Sequence, residues 1–181
     1  MTREEAMSLV KQNVTNKNLI KHMIATEAVM RRMAAHFGED ETLWGLAGLL
    51  HDLDYDQTAD DFPRHGLVTA EMLAGTDVPE EAVYAIKSHP GHFPRKSLLD
   101  QALYAVDPIT GLIVAATLMH PTKKLKNVDV DFIQRRFNEK RFAAGADRDQ
   151  IRSCEDFDLS LEEFIRLSLE AMQGVDDALG L

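Results

Sequence analysis

Apolar residues recur along the chain at intervals of three and four, and no stretch sustains an alternation of two. That pattern predicts helices throughout and no sheet. Thr2 with Glu5 forms a capping box for a short first helix. From about 18 to 37 the apolar positions Leu19, Met23, Met30 and Met33 mark one helical face, and Gly38 stops it. A third helix follows Asp40 and carries Trp44, Leu46, Leu49 and Leu50 up to His51. Further helices are predicted over 65–74, 79–89, 98–119, 129–142, 147–155 and 160–179. Their starts are marked by Asp77 ahead of Pro79, by Ser97 with Asp100, by Asp147 with Gln150, and by Ser160 with Glu163. Loops fall in the Gly, Pro and Asp clusters 53–63, 75–79 and 90–97. The expectation is an all-α helical bundle. It forms one domain over 1–181, with the chemistry in about 18–119 and a helical extension over about 128–181.

Composition narrows the class. The chain has 181 residues, 45% hydrophobic and 28% charged, an ordinary globular balance. One cysteine, Cys154, rules out a disulfide framework and reads as a core-edge residue. The first residues, MTREEAMSLVKQN, lack the apolar stretch of a signal peptide, so a cytoplasmic setting is expected. The most apolar run, Leu98 to Met119, is broken by Asp100, Gln101, Asp107 and Pro108, and reads as a buried core helix. A net charge of −10 repels polyanions, which argues against a broad nucleic-acid surface. A small phosphorylated substrate fits better, because a cation can reverse the field locally. In the tail, Phe132, Ile133, Phe137 and Phe142 alternate with Arg135, Arg136, Lys140 and Arg141. That reads as a basic amphipathic helix packed on the domain, its charges solvated.

The chemistry starts at His51-Asp52, where an apolar helix ends in two polar side chains that must both be satisfied. Taken singly, the pair fits a helix end, with the imidazole favoured by the dipole. His22 shares a face with Leu19, Met23, Thr26 and Met33, and alone it fits a satisfied core histidine. Asp107 is harder to place. It lies midway along the most apolar helix, where an ionised carboxylate is costly unless paired or bound to a cation. Pro108 follows it and removes a helix hydrogen bond. Together these residues make the order H…HD…D on three core helices. Such a set suits a borderline divalent ion (Fe, Mn, Co, Ni or Zn) with positions left open for water and substrate.

That pattern resembles the HD superfamily of metal-dependent phosphohydrolases, over roughly Asn18 to Met119. His22 matches its first histidine, His51-Asp52 its doublet, and Asp107 in LLDQALYAVDPITGLIVA its terminal aspartate. His65, in RHGLVTAEML, and His89, in AIKSHPGH, resemble the further ligands of members that hold two metals. The chain looks like a small HDIG-like protein, most similar in this ligand set to the bacterial HD-domain symmetric diadenosine-tetraphosphate hydrolases. The resemblance implies one or two divalent ions per chain and water activated for attack on phosphorus. It places Asp52 at the reaction centre and implies a small phosphorylated substrate, of nucleotide type. Arg64, Lys87 and Lys123 are candidate substrate-binding cations by their nearness in sequence to the ligands. Leu53-Asp54 replaces the Ile-Gly of the commonest short form, and Tyr55 stands where many relatives carry lysine. Asp54 and Asp56 read as solvated loop acids. Two alternatives stay open: a di-iron oxygenase of the same superfamily, and a non-catalytic metal-binding sensor.

Overall fold

A computed structural model describes residues 1–181 and contains helices and no strands. In chain order the helices are α1 (Arg3–Asn13), α2 (Lys17–Phe37), α3 (Glu41–Leu50), α4 (Tyr55–Thr58), α5 (Leu67–Leu73) and α6 (Glu80–Ser88). They continue with α7 (Leu98–Met119), α8 (Val130–Asn138), α9 (Arg148–Arg152), α10 (Leu161–Gln173) and α11 (Asp176–Leu179). The first helix has the reciprocal capping box of Thr2 and Glu5. Asn16 caps α2, whose other end closes on Gly38 at φ +73°. Asp40 caps α3, and Ser97 with Asp100 forms a second capping box for α7.

The two long helices, α2 and α7, pack against each other, and α3 and α6 fill in beside them. The backbone of α3 lies close against that of α2. A Cβ added at Gly48 would lie 2.9 Å from the Thr26 carbonyl and 3.0 Å from the Glu27 backbone, so only glycine fits there. One core of 43 buried apolar residues runs from Ala6 in α1 to Leu179 in α11. Ile133, Phe137, Ile151 and Phe164, from beyond residue 128, belong to it. By length and composition alone α7 could cross a bilayer, but 56% of that window is buried inside the fold. Leu103, Val106, Ile109, Leu112 and Ile113 are fully buried, as the core-helix reading requires.

Four boundaries differ from the sequence pattern. Residues 55–58 form the short helix α4 inside the expected loop. Pro79, not Asp77, occupies the N-cap of α6. The basic helix α8 ends at Asn138 instead of 142, and α10 ends at Gln173, where Gly174 separates it from α11.

Candidate metal centre

The six residues singled out by the sequence come from five separated parts of the chain. His22 stands on α2, His51 caps the C-terminus of α3 with Asp52 next to it, and Asp107 lies inside α7. His65 precedes α5 and His89 caps the C-terminus of α6. His51, Asp52, His65 and His89 are buried, and His22 is partly so.

All four imidazoles turn the same edge inward. His51 Nδ1 donates to the Gly48 carbonyl at 2.8 Å and His89 Nδ1 to the Ile86 carbonyl at 2.6 Å. His65 Nδ1 donates to Asp54 Oδ1 at 2.8 Å. The Thr110 hydroxyl spends its proton on the Asp107 carbonyl, so it accepts from His22 Nδ1 at 2.9 Å. With every Nδ1 acting as a donor, each Nε2 presents a lone pair whenever its ring is neutral. These Nε2 atoms nevertheless face one another, at 3.1 Å for His22 and His51 and at 3.1 Å for His65 and His89. Two nitrogens at that distance need a positive charge between them, either a proton carried by one ring or a metal ion.

The carboxylates complete two clusters. Asp107 Oδ1 lies 3.1 Å from His22 Nε2 and 3.7 Å from His51 Nε2. Asp52 reaches both sides: Oδ2 is 3.6 Å from His22 Nε2, while Oδ1 is 3.4 Å from His51, 3.2 Å from His65 and 3.6 Å from His89. Donors about 2.1 Å from a common metal lie about 3.0–3.4 Å apart for right-angled to tetrahedral arrangements. The spacings of 3.1–3.7 Å fit a divalent ion with little adjustment. His22, His51 and Asp107 form one set able to hold an ion; His51, Asp52 and His89 form an adjoining one.

Charge tells the same story. Burial opposes the positive charge on His51, but Asp52 and Asp107 outweigh it and hold its pKa up at about 8. Burial also disfavours the charged His65, yet Asp52 and Asp54 raise it to about 9. Burial dominates at His89 and lowers it. Burial disfavours ionised Asp52 and Asp107 as well, but the surrounding imidazoles overcome it and keep both below the usual carboxylate range. Acids held ionised against histidines that retain protons make a site where a metal and protons would compete.

Asp54 departs from its reading as a solvated loop acid, for it is fully buried. Its Oδ2 accepts from the backbone N–H groups of Gly66 (2.8 Å) and Thr69 (2.9 Å) at the start of α5, while Oδ1 orients His65. Asp56 does stay exposed, accepting from Thr15. Thr110 is the other supporting residue the sequence did not single out. Cys154 is buried, which pushes its thiol up to about 12 and leaves it unreactive.

A cavity of about 510 Å³ opens on Asp52, His65, His89 and Asp107. Its rim carries Tyr55 and Phe62, which are 43% and 56% exposed although both are large and apolar. Gly145 and Gln150, from the C-terminal extension, close another side. No lysine or arginine lines this cavity. Arg64 and Lys123 are exposed outside it, and the Lys87 ammonium lies 5.1 Å from the centre of the Phe93 ring. The expectation that these three cations bind substrate is therefore not carried by the geometry. Sequence proximity to a ligand does not fix the direction in which a side chain leaves its helix.

Residues 19–125 match the profile of the HD domain family. The chain is similar to ribonuclease Y of Desulfotalea psychrophila, at 30% identity over 138 residues, 74% of this chain and 26% of that protein. It is also similar to ribonuclease Y of Sulfurovum sp., at 27% identity over 164 residues, 89% of this chain and 32% of that protein. A third, ribonuclease Y of Lactobacillus acidophilus, is 32% identical over 94 residues, covering 52% and 17%. The chain thus spans at most about a third of the length of these relatives. No solved structure matches it at comparable significance.

Proposed function

The chain belongs to the HD domain family of metal-dependent phosphohydrolases, and we propose that it hydrolyses a small phosphate ester of nucleotide type. The observation that carries this reading is the set of four imidazoles, each Nδ1 committed as a donor and each Nε2 turned onto Asp52, with those of His22 and His51 also reaching Asp107. In this reading His22, His51, Asp52 and Asp107 hold one divalent ion. His65 and His89 hold a second, with Asp52 between the two.

A divalent ion in such a site lowers the pKa of a water towards neutrality and polarises a phosphoryl oxygen. The chain's own residues do the rest. Gly48, Ile86, Asp54 and Thr110 fix the imidazole tautomers and aim the rings, as outer partners of ligands commonly do. Asp52, buried and ionised, reaches both sides of the site, with Oδ2 towards His22 and Oδ1 towards His51, His65 and His89. The apolar rim limits bulk water, and the cavity volume suits a nucleotide-sized ligand. Tyr55 and Phe62 offer π-faces on which a base can stack, whatever its identity.

The relatives' name favours a second reading, cleavage within an RNA chain. The net charge of −10 and the cation-free cavity wall weigh against gripping a polyanion. The test is phosphate release by protein loaded with Mn²⁺ or Fe²⁺, across nucleoside phosphates, base-free phosphate esters and short RNAs. Release fastest from nucleoside phosphates is expected. Internal RNA cleavage without release from mononucleotides would replace the small-substrate reading, and inertness on all three would remove it. Oxygen consumption by the iron-loaded protein would point instead to the oxygenase alternative.

A further inference from the structure

Pro108 sits inside α7 directly after Asp107. It has no N–H, so the carbonyl four residues earlier, on Tyr104, loses its helical donor. The missing bond falls on the turn that carries Asp107. It is replaced from outside the helix, because the Gln150 side-chain amide donates to the Tyr104 carbonyl at 2.8 Å.

Gln150 is itself held firmly. Asp147 caps α9 by accepting from the backbone N–H groups of Asp149 and Gln150, each at 2.9 Å. The loop ahead of α9 is gathered around one guanidinium. Arg148 donates to backbone carbonyls between Arg136 and Ala146, including Phe137 and Ala143, each at 3.0 Å, and Ala146 at 2.6 Å. Gln150 also lines the cavity beside Asp107. Gln150 and the loop gathered around Arg148 lie beyond the segment 19–125 that matches the family profile.

We infer that Gln150 is a positioning residue, which supplies the hydrogen bond that Pro108 removes from α7 and so fixes Asp107 for metal binding. The inference rests on the reading of Asp107 as a ligand. It assigns the C-terminal extension a part in the site through one bond, whose donor lies outside α7 and whose need arises inside it. Without that bond the Tyr104 carbonyl is left unmet at a helix turn that has no donor of its own, and the turn is free to shift.

Co²⁺ binding by the full chain tests this, followed through the visible absorption of the bound ion. Gln150→Ala is expected to weaken Co²⁺ about tenfold and to change the band shape at saturation, the low end of what loss of an outer partner costs. Gln150→Met keeps the length of the side chain but donates nothing, and must behave like Gln150→Ala. Pro108→Ala returns a backbone N–H to Tyr104, so in that background Gln150→Ala should cost less than about twofold. Equal losses in both backgrounds, no loss in Gln150→Ala, or wild-type affinity in Gln150→Met would each overturn the inference. The Met variant decides the matter even if Pro108→Ala does not fold. Asp107→Asn separates the two levels of the argument. If it keeps wild-type Co²⁺ affinity, the ligand reading has failed; if it loses Co²⁺ while Gln150→Ala does not, only the positioning role has.

Discussion

At the scale of the residue, the site is a contest between protons and metal. In metal-free protein His51 and His65 carry raised pKa values, about 8 and about 9, because Asp52, Asp54 and Asp107 outweigh their burial. Raised values mean that their contribution to stability is complete below about pH 6.5, the unfolded value, and is lost as pH rises through 8 and then 9. With chelator present, the melting temperature should fall across that window, and Asp52→Asn should flatten the fall. Metal must displace the same protons, so affinity for Mn²⁺ should rise over the window and binding should release protons. Calorimetric titration in buffers of different ionisation enthalpy measures that release, and identical heats in all buffers would sink the idea. Four positions of this arrangement, His22, His51, Asp52 and Asp107, were legible from residue type and order, and the family resemblance added His65 and His89. Asp54 was not, because an acid in a polar loop looks solvated until α5, twelve to fifteen residues later, brings its free N–H groups against it. Asp54→Ala should cost about 2–4 kcal/mol by denaturant unfolding, since it strips a cap and leaves buried donors unmet. It should also weaken metal binding, through a His65 ring that is free to turn.

Among the elements, helix starts were readable where a side chain close in sequence does the capping. Thr2, Asp40, Ser97, Asp147 and Ser160 each accept from the backbone of their own first turn. Helix ends matched the pattern at Gly38, where glycine stops α2, and at Met119 of α7, but not at α8 or α10. The amphipathic pattern of α8 continues to Phe142, yet the helix ends at Asn138 because Arg148, further along the chain, draws the carbonyls of the next residues to itself. Local periodicity holds no trace of such a competitor. The α2–α3 contact is a tertiary feature of the same kind, and it reaches the metal centre directly. Gly48 both admits the α2 backbone and offers the carbonyl that fixes the His51 tautomer. Gly48→Ala should therefore destabilise the protein by about 1–3 kcal/mol, as overpacking does. It should also lower metal affinity more than a core overpacking placed away from α3. Ile133→Phe, buried on α8, which packs on α7 and α10, is a suitable comparison. If both variants bind metal equally well, the α2–α3 spacing does not set the position of His51.

For the whole molecule, the excess of acidic over basic residues, 30 against 20, meets a cavity wall without lysine or arginine. Any positive charge that a phosphate encounters there must come from protonated histidines or from bound ions. Those ions would also join α2, the C-terminal ends of α3 and α6, the start of α5 and the middle of α7, which the backbone alone holds far apart in sequence. No such convergence exists in the unfolded chain, so binding should stabilise the native state by RT ln(1 + [M]/Kd), about 2.7 kcal/mol at a hundredfold excess over Kd. For a chain of this size that raises the melting temperature by about 5–11 °C, and chelator should reverse it. The proposed pair of ions rests on Asp52, which reaches His22 and His51 on one side and His65 and His89 on the other. A single carboxylate can bridge metals about 3.5–4 Å apart. Wild type should therefore bind about two Mn²⁺ per chain. His65→Ala should bind about one and retain part of the thermal shift, whereas His22→Ala should lose the ion that Asp107 shares. Elemental analysis of the three proteins after equilibrium dialysis gives the counts. One ion in wild type, unchanged in number and affinity by His65→Ala, would mean that the second cluster only orients Asp52 and that the four-residue site works alone.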